Sequence, residues 1–185
     1  MRKLAVALTL LASPALATGL QIEVEGEGAN GTILVDLFED VAPQHVEQIT
    51  ALAGEGQYDG VVFHRVIDGF MAQTGDVQYG DQSDEAFDMR YAGRGGSDRP
   101  DVPAEFSDVS FDRGVVGMAR SQDPNSANSQ FFIMFEPGPF LNGQYTVVGQ
   151  VTEGMDVVDA IKRGHPESGA VSGQPDVMKT VTVTE

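Results

Sequence analysis

Phe63-His64-Arg65-Val66-Ile67-Asp68-Gly69-Phe70-Met71-Ala72-Gln73-Thr74-Gly75-Asp76 and Asn128-Ser129-Gln130-Phe131-Phe132-Ile133 decide how this chain is read. A strand buried on both faces is usually an aliphatic run. Here a cation (Arg65), two amides (Gln73, Gln130) and unbranched or aromatic apolar side chains (Phe70, Met71, Phe132) recur at strand-like spacing. Such a mixture suits an apolar pocket furnished with a few fixed donors.

Outward from these blocks the chain reads as mostly β. Gln21 to Glu25 alternates polar with apolar (Ile22, Val24), Thr32 to Phe38 is a second β-rich run, and Asn30-Gly31 between them predicts a hairpin. Asn30-Gly31-Thr32 also fits a glycosylation acceptor, but the turn accounts for the same residues. Further short runs are Val61 to Val66, Val115 to Ala119, Gln130 to Phe135, Tyr145 to Val151 and Val177 to Val183.

Two segments carry helical spacing. Pro43 opens one whose Val46, Ile49, Leu52 and Ala53 share a face before Gly54, predicting a helix over 43–53. A second begins near Gly154, with Met155, Val158 and Ile161 on one face, Asp156 in its first turn and Lys162-Arg163 in its last. Many short strands with only two helices favour a closed antiparallel sheet whose ends the helices cover. Residues 80–108, rich in Asp, Ser and Gly, read as a long surface loop. The acidic start lacks the spacing of a calcium-binding loop, and Gly93-Arg94-Gly95-Gly96-Ser97 lacks the flanking strand and helix of a phosphate-binding one.

The N-terminus is of another physical class. Arg2 and Lys3 precede an apolar run from Leu4 to Leu11, and Ala15-Leu16-Ala17 follows, so residues 1–17 read as a cleavable secretory signal peptide and 18–185 as one domain. The run is too short before Pro14 to span a bilayer. Cleavage after Ala17 removes two of the 11 basic residues and none of the 28 acidic ones, leaving a charge of −19. Such a polyanion is repelled by phosphate backbones and anionic lipid, which excludes nucleic acid and, once the signal is removed, membrane as partners. With no cysteine, disulfides and thiolate chemistry are excluded. The three histidines (His45, His64, His165) are dispersed, with no pair at metal-ligand spacing, and no Gly-x-Ser-x-Gly elbow occurs. His64 beside Arg65 is expected to be a satisfied structural histidine.

Both opening blocks resemble the signature of the cyclophilins, peptidyl-prolyl cis-trans isomerases, and the likeness covers nearly all of the chain beyond the leader. The resemblance implies a closed eight-stranded antiparallel β-barrel capped by two α-helices. It implies rotation about X-Pro bonds of extended or unfolded polypeptides, with no cofactor and no metal. For a bacterial exported member it implies a periplasmic monomer. The competing reading keeps the groove as a proline-peptide-binding chaperone or scaffold with little turnover.

The chemistry fits the residues. Rotation about a peptide C–N bond faces a barrier of about 18–20 kcal/mol because resonance makes it partly double. In the twisted state the proline nitrogen regains a lone pair, which a charged donor in a water-poor pocket stabilises. Arg65 is the candidate donor, since its guanidinium stays protonated and presents several N–H groups in a rigid plane. By family position, Gln73 and Gln130 orient Arg65 or contact the substrate backbone, and Phe70, Met71, Phe132 and Leu141 hold the proline ring. Ala119 and Arg120 match the part that pairs with peptide main chain, though many members carry asparagine at 120. Gly93 to Ser97 corresponds to a glycine turn bordering the groove. Phe140 stands for a tryptophan common in eukaryotic members and Tyr145 for a histidine, so weak binding of the cyclic peptide cyclosporin is expected.

Overall fold

The computed structural model describes residues 18–185; the predicted signal peptide, 1–17, lies outside them. The predicted hairpin forms: β1 (Gly19–Glu25) pairs antiparallel with β2 (Gly31–Leu37), Gly19 opposite Asp36 and Val24 opposite Gly31. Asn30 ties the connecting loop by donating its Nδ2 to the Gly26 carbonyl at 2.7 Å.

Seven more strands follow: β3 (Val61–Val62), β4 (Arg65–Ile67), β5 (Met71–Thr74), β6 (Val115–Met118), β7 (Phe131–Met134), β8 (Val147–Glu153) and β9 (Val177–Thr184). They form one curled antiparallel sheet in the order β3-β9-β1-β2-β8-β6-β7-β5-β4. This corrects the expected closed barrel of eight strands, because nine strands are present and the ladder stays open between its end strands, β3 and β4. The cause lies at Phe63-His64. The predicted run Val61 to Val66 breaks there, as Phe63 N donates to Asp176 O at 2.9 Å and His64 O accepts from Val171 N at 3.1 Å. An open strand edge invites unwanted pairing. That of β4 is covered instead by the 164–170 segment, with Val66 N on Gly169 O and Gly164 N on Val66 O, both at 2.8 Å.

Strand alternation sorts side chains to two faces. Ile22, Ile33, Val66, Ala72, Phe131 and Ile133 meet in the main core inside the curl. Helix α1 (Pro43–Gly54) adds Val46, Ile49 and Leu52 to it, as its periodicity predicted. On the outer face of β5, β6 and β7 a second, smaller cluster gathers Met71, Val115, Phe132 and Met134 with Phe111 and Leu141.

Helix α2 (Met155–Ala160) is shorter than predicted. Ile161 turns extended (φ −57°, ψ 131°) and buries its side chain, so Lys162 and Arg163 are not in a last turn. Lys162 N instead donates to Asp176 Oδ2 at 2.6 Å, and the Arg163 guanidinium lies 3.9 Å from the Phe135 ring centroid and donates to Asp68. Residues 80–108 contain no helix or strand beyond isolated bridges, one of which pins the buried Val102 to Ala127.

Candidate functional site

Register builds the site. Arg65 on β4 faces Gln73 on β5, Gln73 faces Phe132 on β7, and Phe132 faces Gly117 on β6. One row across four strands therefore carries a cation, an amide and an aromatic ring on the outer face, one rung from Met71. Gly117 makes room: a Cβ there would come 2.5 Å from Phe111 Cε1 and 2.6 Å from Phe132 Cζ. Without it the Phe111 and Phe132 rings could not stack at 5.8 Å between centroids.

Above this floor lies a pocket of about 420 Å³ lined by Arg65, Gln73, Phe70, Met71, Ala119, Arg120, Phe132, Phe140, Leu141, Gln144 and Tyr145. Met71, Phe132 and Leu141 are buried. Phe140, on the short 3-10 turn Pro139–Leu141, is 64% exposed and stands 5.4 Å from the Phe70 ring as the rim. Tyr145 meets Phe132 edge-on at 6.0 Å. Of the residues predicted from sequence, all but Gln130 line this pocket, and Gln130 reaches it through Gln73.

Arg65 is half buried, and its environment is directional. Nη1 donates to Gln73 Oε1 at 3.1 Å and Nε to the Ser168 carbonyl at 3.2 Å. Among the described residues, Nη2 has no protein partner, so its protons are free for whatever enters the pocket. Burial lowers the Arg65 pKa while Tyr145 opposes the shift, and a guanidinium stays cationic regardless. Gln73 Nε2 donates to Gln130 Oε1 at 2.9 Å, and Gln130 Nε2 to the Gly95 carbonyl at 2.7 Å. The chain of amides fixes each flip and ties the cation to the 93–97 loop.

That loop is clamped from below by the fully buried Asp76, whose carboxylate accepts from the backbone N–H of Gly93 (2.7 Å), Gly95 (2.9 Å), Gln78 (3.1 Å) and Tyr79 (3.0 Å). Asn128 holds the far side through Ser97 N at 2.7 Å. The loop forms a second pocket of about 450 Å³, which shares Gln73, Ala119 and Arg120 with the first and includes Gly93, Arg94, Gln130 and Asn128. Sequence reasoning assigned no role to Asp76, Arg94, Asn128, Gln144 or the Ser168 carbonyl. Asp76, a carboxylate among apolar residues and glycine, carried the one signal that could have been read.

Arg120 is fixed by main chain. Its Nη2 donates to Gln144 O at 2.9 Å and Nη1 to Ser121 O at 2.8 Å, with Cζ 4.4 Å over the Tyr145 ring.

His64 departs from expectation. The structure places it between β3 and β4, buried, with no hydrogen bond of normal geometry to either ring nitrogen; Gln130 and the Val62 backbone lie near enough only to favour the charged ring weakly, so it is not a satisfied histidine. The 93–97 loop seals it: a Cβ at Gly93, whose φ of +93° already favours glycine, would come 2.6 Å from His64 Cδ2. Burial lowers its pKa from 6.5 to about 4, against the pull of Asp76 toward the charged ring. Among the described residues no group of three or more His, Asp or Glu side chains could hold a metal ion, and no helix is long and apolar enough to cross a membrane.

Comparison with known proteins agrees with this arrangement. The family model described as cyclophilin type peptidyl-prolyl cis-trans isomerase/CLD matches residues 20–184. A probable peptidyl-prolyl cis-trans isomerase of Brucella suis is 61% identical over 151 residues, covering 81% of this chain and 76% of that protein. An isomerase of the same class from Streptomyces antibioticus is 35% identical over 175 residues, covering 86% and 97%. Among solved structures, a cyclophilin type isomerase of Cryptosporidium parvum, crystallised in the presence of the dipeptide Ala-Pro, superposes with a TM-score of 0.73 at 25% identity, covering 90% of this chain and 99% of that one.

Proposed function

The chain belongs to the cyclophilin-type peptidyl-prolyl cis-trans isomerases, which catalyse rotation about X-Pro bonds, and on that premise we propose that Arg65 is the catalytic cation. The observation that carries this assignment is the open Nη2 edge of a half-buried guanidinium over an apolar, ring-sized pocket. Met71, Phe132 and Leu141 grip the proline ring from below while Phe70 and Phe140 wall it. As the C–N bond twists, the proline nitrogen becomes a hydrogen-bond acceptor and the carbonyl loses conjugation. The planar cis and trans forms offer no such acceptor, so the interaction strengthens in the transition state and lowers the barrier. Gln73 keeps the guanidinium plane turned toward that nitrogen, with Gln130 and the Gly95 carbonyl behind it.

Bringing an exchange of tens to hundreds of seconds down to milliseconds requires about 6–7 kcal/mol, at about 1.4 kcal/mol per tenfold. One charged donor in a partly dry site supplies about 3–4 kcal/mol, and proline-pocket complementarity the remainder. In a protease-coupled assay on a short X-Pro peptide, Arg65→Ala is expected to lower kcat/KM by about 10²–10³. Equal rates would remove catalysis from Arg65. A binding module with little turnover is not favoured, since the family and the curated relatives are isomerases.

We also propose that the enzyme works in the periplasm after export, supported by the basic start, apolar run and Ala15-Leu16-Ala17 of the leader. N-terminal sequencing of protein from its native compartment is expected to begin at Thr18; a start at Met1 would overturn this.

A further inference from the structure

The distribution of cations is uneven. The described residues carry nine Lys and Arg against 28 Asp and Glu. Five of the nine are ion-paired with a carboxylate. The four that are not are Arg65, Arg94, Arg120 and Lys162, and three of these line the two adjoining pockets. In a chain this acidic, a cation would ordinarily find a carboxylate neighbour; here three are kept apart from one, facing the same groove.

Arg65 belongs to the proline pocket. Arg94 and Arg120 face the second pocket, whose one acidic wall residue, Asp101, already accepts from Asn128 Nδ2 at 2.9 Å. Arg120 is fixed at its guanidinium, whereas Arg94, an exposed side chain, is fixed through its backbone. Arg120 is held by the Gln144 and Ser121 carbonyls against Tyr145, and Arg94 lies 5.8 Å from the Tyr91 ring on the loop that Asp76 clamps. Such pre-ordering spares a bound anion the entropy of ordering the cations that meet it.

The pockets share the ridge of Gln73, Ala119 and Arg120. An extended peptide advances about 3.3 Å per residue, so with proline in the first pocket a side chain two or three residues away reaches the second. We propose that this second pocket selects an aspartate or glutamate side chain on the substrate, two or three residues to one side of the proline, with Arg94 and Arg120 as specificity-determining residues. The proposal rests on the isomerase reading and narrows its substrates to acidic X-Pro segments. Two arginines against the single carboxylate of Asp101 leave the pocket wall locally positive, while the negative field of the remaining surface is screened beyond about 8 Å at physiological salt.

The test uses end-capped X-Pro peptides carrying a single Glu, Gln or Lys at the second or third residue before or after proline, with isomerisation rates read by exchange NMR. At one of these positions kcat/KM is expected to fall in the order Glu, Gln, Lys, with a Glu-to-Lys ratio of about tenfold, each exposed pair contributing about two- to fivefold. Arg94→Gln or Arg120→Gln is expected to cut that ratio to about threefold or less. A ratio near one at all four positions overturns the proposal, as does a ratio that survives both substitutions. Because the Gln peptides are neutral, their failure to isomerise would instead overturn the isomerase reading itself.

Discussion

The two faces of β4, β5 and β7 are built from neighbouring residues and do different work. Inward, Val66, Ala72, Phe131 and Ile133 meet other apolar side chains in the main core. Outward, one residue along, Arg65, Gln73 and Phe132 form a row in register. The inner face tolerates any apolar set that conserves volume, because dispersion and burial carry no direction. The outer face tolerates little, because the direction in which a guanidinium points depends on which side of the strand it leaves and on which residue sits opposite. A register slip of one residue would bury Arg65 and expose Val66.

The widest break between the faces comes from paired substitutions. Ile133→Ala, wholly buried, is expected to destabilise by about 2–5 kcal/mol through lost burial and the cavity left behind, while the folded fraction keeps its kcat/KM. Arg65→Ala is expected to do the reverse, losing catalysis with unfolding free energy changed by less than about 1 kcal/mol. Urea unfolding and the peptide assay on both variants check this. Should the Ile133 variant lose as much catalysis per folded molecule as the Arg65 variant, the faces are not independent.

His64 sits at the seam between them and sharpens the contrast through pH. Its folded pKa, about 4, lies below the ordinary 6.5, so the unfolded chain binds the extra proton first. Stability tied to the neutral ring is therefore complete above pH 6.5 and is lost as pH falls from 6.5 toward 4. At about 1.4 kcal/mol per unit, the loss is about 3 kcal/mol. His64→Leu, which removes an unpartnered polar ring, is expected to abolish that loss: the difference in unfolding free energy between wild type and variant should shift by about 2–3 kcal/mol in favour of the variant between pH 7 and pH 4.5. A pH-independent difference would mean that the ring is solvated or hydrogen-bonded in solution.

Much of this was legible in the sequence, for reasons that differ by residue. The hairpin, α1 and the strands announce themselves by local periodicity, and Arg65, Gln73 and Phe132 stand out as polar or aromatic intrusions in apolar runs. Contacts made by main chain could not be read: the Ser168 carbonyl that holds Arg65 is 103 residues away, and any residue type supplies a carbonyl. The open ladder escaped for a similar reason, since only the distant Asp176 and Val171 divert the backbone at Phe63-His64. Helix α2 was overextended because helical spacing placed Ile161 on the buried face, and in fact Ile161 is buried from an extended backbone. Arg94 falls within the glycine turn expected to border the groove, but that it lacks a carboxylate partner depends on the fold and on no local pattern.

The smallest expected effect concerns the rim. Phe140 closes the pocket beside Arg65 with a ring that is mostly in water and packs near Phe70 on one side, and its backbone carbonyl is already taken by Gln144 Nε2 at 3.1 Å. A ring alone gives a bulky cyclic peptide apolar contact and no donor. Phe140→Trp adds an indole N–H at the pocket mouth, where a net hydrogen bond contributes about 0.5–1.5 kcal/mol and the larger ring adds buried area. Cyclosporin affinity, measured by calorimetry on both proteins, is therefore expected to be about tenfold higher for the variant. A change within a few tenths of a kcal/mol would show that position 140 does not face the bound ring, and that the pocket's rim is set instead by Phe70 and Tyr145.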